Sequence, residues 1–287
     1  MITKLKQQLF LPAENRRLGE GGLRMKDFFK GSLKDKPLIS IVTIVYNGKE
    51  NLEQTISSVL NQSYDNIEYI IIDGGSQDGT IDIIKKYDDK IDYWVSEPDA
   101  GVYSAMNKGA SLCRGKYISF LNADDWYNND TIELVVQSLN KHDVDYLFGN
   151  TDLFDGNKFL YTDKERLAQY KFNTPFGHQS LFVRLQYFLS EPFNTKYKIL
   201  ADYNFMLGLI TKELPFSYLN KSIVNYRIGG LSSTANATKE KFDIVYKHFG
   251  ILRAIYSYLI VTNNPIIKPI NTIINKIRSI KKQVKTA

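Results

Sequence analysis

Cysteine is almost missing from this chain. A single thiol, Cys113, among 287 residues excludes an internal disulfide and a zinc site built on cysteines, and it fits a reducing compartment. Long apolar runs are missing too. None approaches the roughly 20 residues needed to span a bilayer, and the run from Ile255 to Val261 is far too short. Met1 to Arg17 lacks the apolar stretch of a signal peptide. The expectation is a cytoplasmic protein, at most peripheral on the cytoplasmic face of an inner membrane. Internal repeats, low-complexity tracts, a GxGxxG fingerprint and a Walker A ending are also absent, which removes two common phosphate-binding loops.

Acidic residues stop at Asp243. From Ile244 to Ala287 the chain holds Lys247, Arg253, Lys268, Lys276, Arg278, Lys281, Lys282 and Lys285, and the net charge of +6 is concentrated there. Ile270, Ile273, Ile274, Ile277 and Ile280 fall on one helical face. A basic amphipathic helix of this kind suits an anionic membrane surface, where each basic side chain contributes about 1 kcal/mol. The plainer alternative is a terminal helix that packs its isoleucines on the domain and leaves its basic face in water.

What is present is ordinary for a globular protein, 43% apolar and 24% charged, at a length that buries a full core. Residues 1–36 are polar and basic and read as an N-terminal extension. Apolar, β-branched runs then alternate with helical spacing. Strands are expected at Leu38–Val45, Ile67–Ile72, Ile91–Val95, Tyr117–Leu121 and Tyr146–Phe148. Helices are expected at Glu50–Leu60, Asp78–Lys86, Val102–Leu112 and Thr131–Leu139. This alternation predicts an α/β, Rossmann-like, mostly parallel sheet with helices on both faces over residues 37–235, followed by a basic helical tail over 236–287.

The chemistry gathers where strands end. Asn122-Ala123-Asp124-Asp125 closes a buried strand. Two adjacent carboxylates there are costly unless a cation lies between them and a ligand. Hard oxygen ligands suit Mg²⁺ or Mn²⁺, and strand ends are where open α/β sheets bind ligands. Thr43, Tyr46 and Asn47 end the first strand and suit a base and ribose, although Asn47-Gly48 also reads as plain turn geometry. Asp73 ends the second strand. A carboxylate accepts from uracil or thymine N3–H or guanine N1–H, a donor that adenine and cytosine lack. Asp73 therefore favours UDP, dTDP or GDP if it reads the base, and is a turn cap if it does not. Glu97-Pro98-Asp99 follows the third strand. Asp99 is placed at the nucleoside and Lys108 near phosphate, with Asn107 beside it, against the alternative of a surface ion pair.

Four segments in this order resemble the inverting glycosyltransferases of family 2, with the GT-A fold: Ser40–Asn47, Ile72–Thr80, Glu97–Gly109 and Asn122–Asp125. They are most similar to the branch that builds bacterial O-antigens and exopolysaccharides. The resemblance implies that Thr43, Tyr46, Asn47, Asp73 and Asp99 line the nucleoside. It gives Asp125 to the metal, and Asp124 to the ribose or a metal-bound water. Gly74 and Asn122 stand where many members carry Asp, so metal binding rests on Asp124 and Asp125. The resemblance makes Asp202, in Ala201-Asp202-Tyr203, the general base, a role compatible with capping the helix Tyr203–Leu209. It puts His178 and Gln179 at the acceptor or donor-sugar side, and Arg227 in a glycine-bearing loop that closes over the diphosphate. The implied partners are a nucleotide sugar, an acceptor on a polyprenyl diphosphate lipid, and the inner leaflet, with no nucleic acid. Two competing classes remain: a nucleotidyltransferase, whose Gly- and Lys/Arg-rich loop Tyr46–Glu50 does not match, and a nucleic-acid-binding module, for which no aromatic–basic stacking motif is visible.

Overall fold

The computed structural model describes residues 4–229 and 236–261. The isoleucine stripe of residues 270–280 lies outside them, as does the loop from Gly230 to Ser233. Among the described residues ten strands join one sheet: β1 (Gly19–Gly21), β2 (Ile39–Val45), β3 (Ile67–Asp73), β4 (Tyr93–Ser96), β5 (Tyr117–Asn122), β6 (Trp126–Tyr127), β7 (Tyr146–Asp155), β8 (Lys158–Asp163), β9 (Phe182–Arg184) and β10 (Phe216–Arg227). The helices are α1 (Leu52–Leu60), α2 (Thr80–Lys86), α3 (Val102–Leu112), α4 (Thr131–Lys141), α5 (Leu185–Ser190), α6 (Ala201–Thr211), α7 (Asn236–Phe249) and α8 (Ile251–Val261).

The strand order is β1-β4-β3-β2-β5-β9-β7-β10-β6, with β8 beside β7. The block β4-β3-β2-β5 is parallel throughout, and β7 and β10 are parallel to each other. Side chains alternate across a strand, so an inner strand that is apolar at every position feeds two cores. Val42, Ile70 and Ile72 face one core, with α3, α5 and α6. Ile39, Ile41, Tyr69 and Ile71 face the other, with α1, α2 and α4. Helix α3 can lie this close only because residue 109 is glycine: a Cβ there would sit 2.4 Å from Val42 Cγ1.

The chain leaves β2 towards β3 on one side, and β5 returns on the other. That reversal makes the C-terminal ends of β2 and β5 the natural ligand crevice. The first half of the sheet follows the sequence reading to within a few residues. Strand β7 runs on to Asp155, well past Phe148, because β8 and β10 pair with it on both sides.

The N-terminal stretch is tied to the sheet. β1 pairs with β4, and the Leu5 N–H donates to Leu189 O at 2.8 Å. Arg24 is fully buried, with Nη2 2.6 Å from Glu68 Oε1. The other Glu68 oxygen accepts from Ser40 Oγ at 2.5 Å and from the Arg114 N–H at 2.7 Å. Removing one partner of such a pair strands a buried charge, at a cost of about 3–5 kcal/mol. No helix among the described residues is long and apolar enough to cross a membrane.

Candidate active site

The ends of β2 and β5 open on a cleft of about 560 Å³, bounded also by the start of α3, the His178–Ser180 turn and the start of α6. Of the residues singled out in the sequence, Tyr46, Asp124, His178, Gln179 and Asp202 line it. Tyr103, Lys198 and Tyr226 line it too; Tyr103 falls inside the Glu97–Gly109 segment, but the sequence assigned none of the three a role. A hollow of about 630 Å³ at residues 33–36 and 63–65 lies at the opposite, N-terminal ends of β2 and β3. It gathers no comparable set of functional groups.

Asp202 sits at the second position of α6, so the helix begins one residue before it. It is not the N-cap that the sequence allowed. Its Oδ2 lies 3.1 Å from His178 Nδ1. Its Oδ1 accepts from the Tyr103 hydroxyl at 2.9 Å and from the Tyr203 N–H at 2.8 Å. On its other side, His178 Nε2 meets Asn122 Nδ2 at 3.3 Å. His178 thus bridges Asp202 on one side and Asn122 on the other. Burial pushes the Asp202 carboxyl up, but the hydrogen bond and charge attraction of His178, then the hydrogen bonds from Tyr103 and the Tyr203 N–H, outweigh it and hold the group below the usual carboxylate range. Asp202 is therefore ionised at neutral pH, facing the cleft with 15% of its side chain exposed.

Asp125 stands just behind the cleft wall and is fully buried. Its Oδ1 accepts from the Arg227 N–H at 3.1 Å; the Gln179 and Asn122 side chains stand near the carboxyl, but neither makes a hydrogen bond of ordinary geometry to Oδ2. Burial, then the neighbouring Asp124 carboxylate, push the Asp125 carboxyl well up. Burial pushes Asp124 up as well. Asn122 Oδ1 is a second buried oxygen without a partner. Among the described residues no three His, Cys, Asp or Glu side chains converge as metal ligands. Two carboxyls that burial pushes towards the protonated form and an orphaned oxygen nonetheless fit a divalent cation that takes its remaining ligands from phosphate and water, as Mg²⁺ commonly does.

The other expected site residues are placed as follows. Asp73 is fully buried and turned into its own loop. Its Oδ2 accepts from the Gly75 and Ser76 N–H groups and from Ser96 Oγ, and its Oδ1 from Ser76 Oγ. It builds the turn and does not face the cleft. Thr43 is buried against the Tyr69 hydroxyl at 3.0 Å. Asn107 clamps the Phe193 backbone through both ends of its amide, at 2.9 and 3.1 Å. Asn47 adopts a left-handed φ of 50° and accepts from the Gln77 N–H, joining the first two strand-end loops. Lys108 does not reach into the cleft. It pairs with Glu97 at 3.0 Å and with Asp99 at 2.6 Å, and burial still pushes Asp99 up. The Arg227 guanidinium binds Gly156 O and Gln54 Oε1 and lies over Trp126, so only its backbone touches the acidic pair. The partners of Thr43, Asn107 and Arg227 lie 26, 86 and up to 173 positions away, and no local motif announces them.

The strand-end cleft, its paired acids and the ordered sequence segments coincide with a family model, Glycosyl transferase family 2, over residues 40–204. The chain belongs to glycosyl transferase family 2. It is 32% identical over 251 residues to an uncharacterized glycosyltransferase of Haemophilus influenzae, covering 81% of this chain and 98% of that one. It is 26% identical over 211 residues to the Escherichia coli UDP-Glc:alpha-D-GlcNAc-diphosphoundecaprenol beta-1,3-glucosyltransferase WfgD, covering 72% and 83%. Among solved structures, S. aureus TarS 1-349 in complex with UDP superposes with a TM-score of 0.59 at 16% identity, over 74% of this chain and 65% of that one. The Pyrobaculum calidifontis mannosyltransferase PcManGT, in complex with GDP-Man and Mn²⁺, gives 0.57 at 15% identity, over 88% and 83%. The fold is GT-A, and this family 2 member is a glycosyltransferase; the nucleotidyltransferase and nucleic-acid readings fall away.

Proposed function

We propose that this glycosyltransferase is inverting and metal-dependent, and that it moves a sugar from a nucleotide diphosphate sugar, UDP first among the candidates, to a lipid-linked acceptor in bacterial surface-polysaccharide assembly. The observation that carries this reading is that ionised Asp202 and Asp124 line one cleft, with Asp125 just behind its wall. Asp202 takes the proton from an acceptor hydroxyl as that oxygen bonds to the anomeric carbon. The bond from that carbon to the diphosphate oxygen breaks on the opposite face, and its electron pair leaves with the diphosphate, which inverts the centre. His178 and Tyr103 hold the Asp202 carboxylate in place throughout. The chemistry a divalent cation on Asp124 and Asp125 supplies is neutralisation of the charge gathering on the diphosphate. Exposed Tyr46 offers a ring for the base to stack on. UDP in the TarS complex and the donor and acceptor in the name of WfgD support the substrate classes; Mn²⁺ in the PcManGT complex supports the metal.

Calorimetric titration with UDP, GDP, dTDP and CDP, with and without Mn²⁺, tests the donor. Mn²⁺-dependent binding of UDP is the expected result. A folded sample that binds none of the four would sink the reading.

Helix α8 supports attachment to an anionic inner leaflet. Ile251, Leu252, Ile255 and Tyr258 lie along one of its faces, 49%, 81%, 44% and 45% exposed, in a stretch without acidic residues. Co-sedimentation with phosphatidylglycerol vesicles should fall at least tenfold in Leu252→Asp/Ile255→Asp. Equal sedimentation of the variant and wild type would remove the membrane from the proposal.

A further inference from the structure

Three consecutive backbone N–H groups just ahead of Asp202 converge on one carboxylate from another part of the chain. Glu240, on α7, accepts from Lys198 at 2.6 Å, Ile199 at 3.0 Å and Leu200 at 3.0 Å. These groups form the turn that enters α6, which has no side-chain cap of its own. The same turn presents Ile199 O 2.6 Å from the Tyr103 hydroxyl, whose single proton it shares with Asp202 Oδ1 at 2.9 Å. Any shift of the turn therefore moves both Asp202 and its tyrosine partner.

α7 grips the segment at two further points. Asp243 pairs with Lys196 at 3.0 Å. Lys247 Nζ and His248 Nε2 meet Asn204 Oδ1 at 3.1 and 3.2 Å. Residues 196–204 are thus held along their length by a helix that lies beyond the 40–204 family match.

We propose that Glu240 is a positioning residue for the general base: its carboxylate, spread over the N–H groups of residues 198–200, fixes the turn that aims Asp202 at the acceptor hydroxyl. This rests on the reading of Asp202 as the base. A carboxylate suits the task because two oxygens take three donors with charge-assisted bonds. Glutamine keeps the length but only one strong acceptor. A base displaced by a fraction of an ångström loses turnover while donor binding persists.

The test uses the full chain and four variants: Glu240→Ala, Glu240→Gln, Asp202→Asn, and Glu240→Ala combined with Asp202→Asn. Turnover is read as UDP release from UDP-glucose with a GlcNAc-diphospholipid, the pair in the name of the E. coli relative. Amide hydrogen exchange and UDP affinity are read alongside. Glu240→Ala should expose the amides of residues 198–200 to exchange and lower kcat at least tenfold, with KM for UDP-glucose and the affinity for UDP unchanged. Glu240→Gln should recover part of the loss. The double variant should be no slower than Asp202→Asn alone, because Glu240 acts through that residue. A Glu240→Ala enzyme within twofold of wild-type kcat, or losses that multiply in the double variant, would overturn the proposal while Asp202→Asn stays inactive. An active Asp202→Asn would instead remove the base itself, and the proposal with it.

Discussion

Asp202→Asn should lower kcat by about 10²–10⁴-fold, the range for loss of a general base, and leave nucleotide affinity unchanged. The amide preserves the shape of the group and can still accept from Tyr103 and the Tyr203 N–H, so the protein should fold normally. It cannot accept a proton from an attacking hydroxyl. The geometry raises one rival, because an imidazole oriented by a carboxylate is also the arrangement of a histidine base. Here His178 Nε2, the nitrogen that would have to face substrate, already meets Asn122 at 3.3 Å. The two assignments differ in rank order. If Asp202 is the base, Asp202→Asn is the more damaging change and His178→Gln costs about tenfold. The reverse order would make His178 the base and Asp202 its support.

The pH profile separates them further. Asp202 is held below the ordinary carboxylate range because its hydrogen bonds, that from His178 foremost, overcome burial. Its base form is complete above that range and is lost as pH falls through its lowered pKa. His178→Leu removes the first of those bonds and leaves burial less opposed, so the pKa of Asp202 rises. The acid limb of kcat/KM should then move to higher pH. An unmoved limb would mean that the 3.1 Å contact does not set the protonation of the base.

The parts of the protein that could be read from sequence are those whose signal is local. The inner strands are apolar on both faces, and the helices between them keep 3.6-residue spacing, so β2 to β5 and α1 to α4 fell where periodicity placed them. Asp124 and Asp125 were legible because two adjacent acids after a buried run have little structural reason to exist. Individual roles were less legible. Asp73 accepts from Ser76, Ser96 and two backbone N–H groups, contacts that its residue type at a strand end does not announce. The contact of the Arg227 guanidinium with Gln54, 173 residues away, has no local signal either. Tyr103 and Glu240 went unnoticed for the same reason: their partners lie 99 and about 40 positions away.

The acidic pair carries the other large effect. Asp125→Asn should abolish the Mn²⁺-dependent part of UDP binding and lower transfer by about 100-fold or more, since Lewis-acid stabilisation is worth several kcal/mol and each 1.4 kcal/mol is a factor of ten. The same change should leave the metal-free protein as stable as wild type, or more so. In the absence of a cation Asp125 is a fully buried carboxyl whose Oδ2 makes no hydrogen bond of ordinary geometry, set beside a second buried carboxyl. Asparagine keeps the acceptor for the Arg227 N–H and removes the charge. Thermal melts with and without Mn²⁺ read both consequences at once. Wild type should melt higher with Mn²⁺, by the linkage that stabilises whichever state binds the ligand, and Asp125→Asn should melt at one temperature in both conditions. A variant that loses stability without metal and still gains from Mn²⁺ would show that Asp125 is a structural anchor for the β10 backbone, and that the cation is held by other groups.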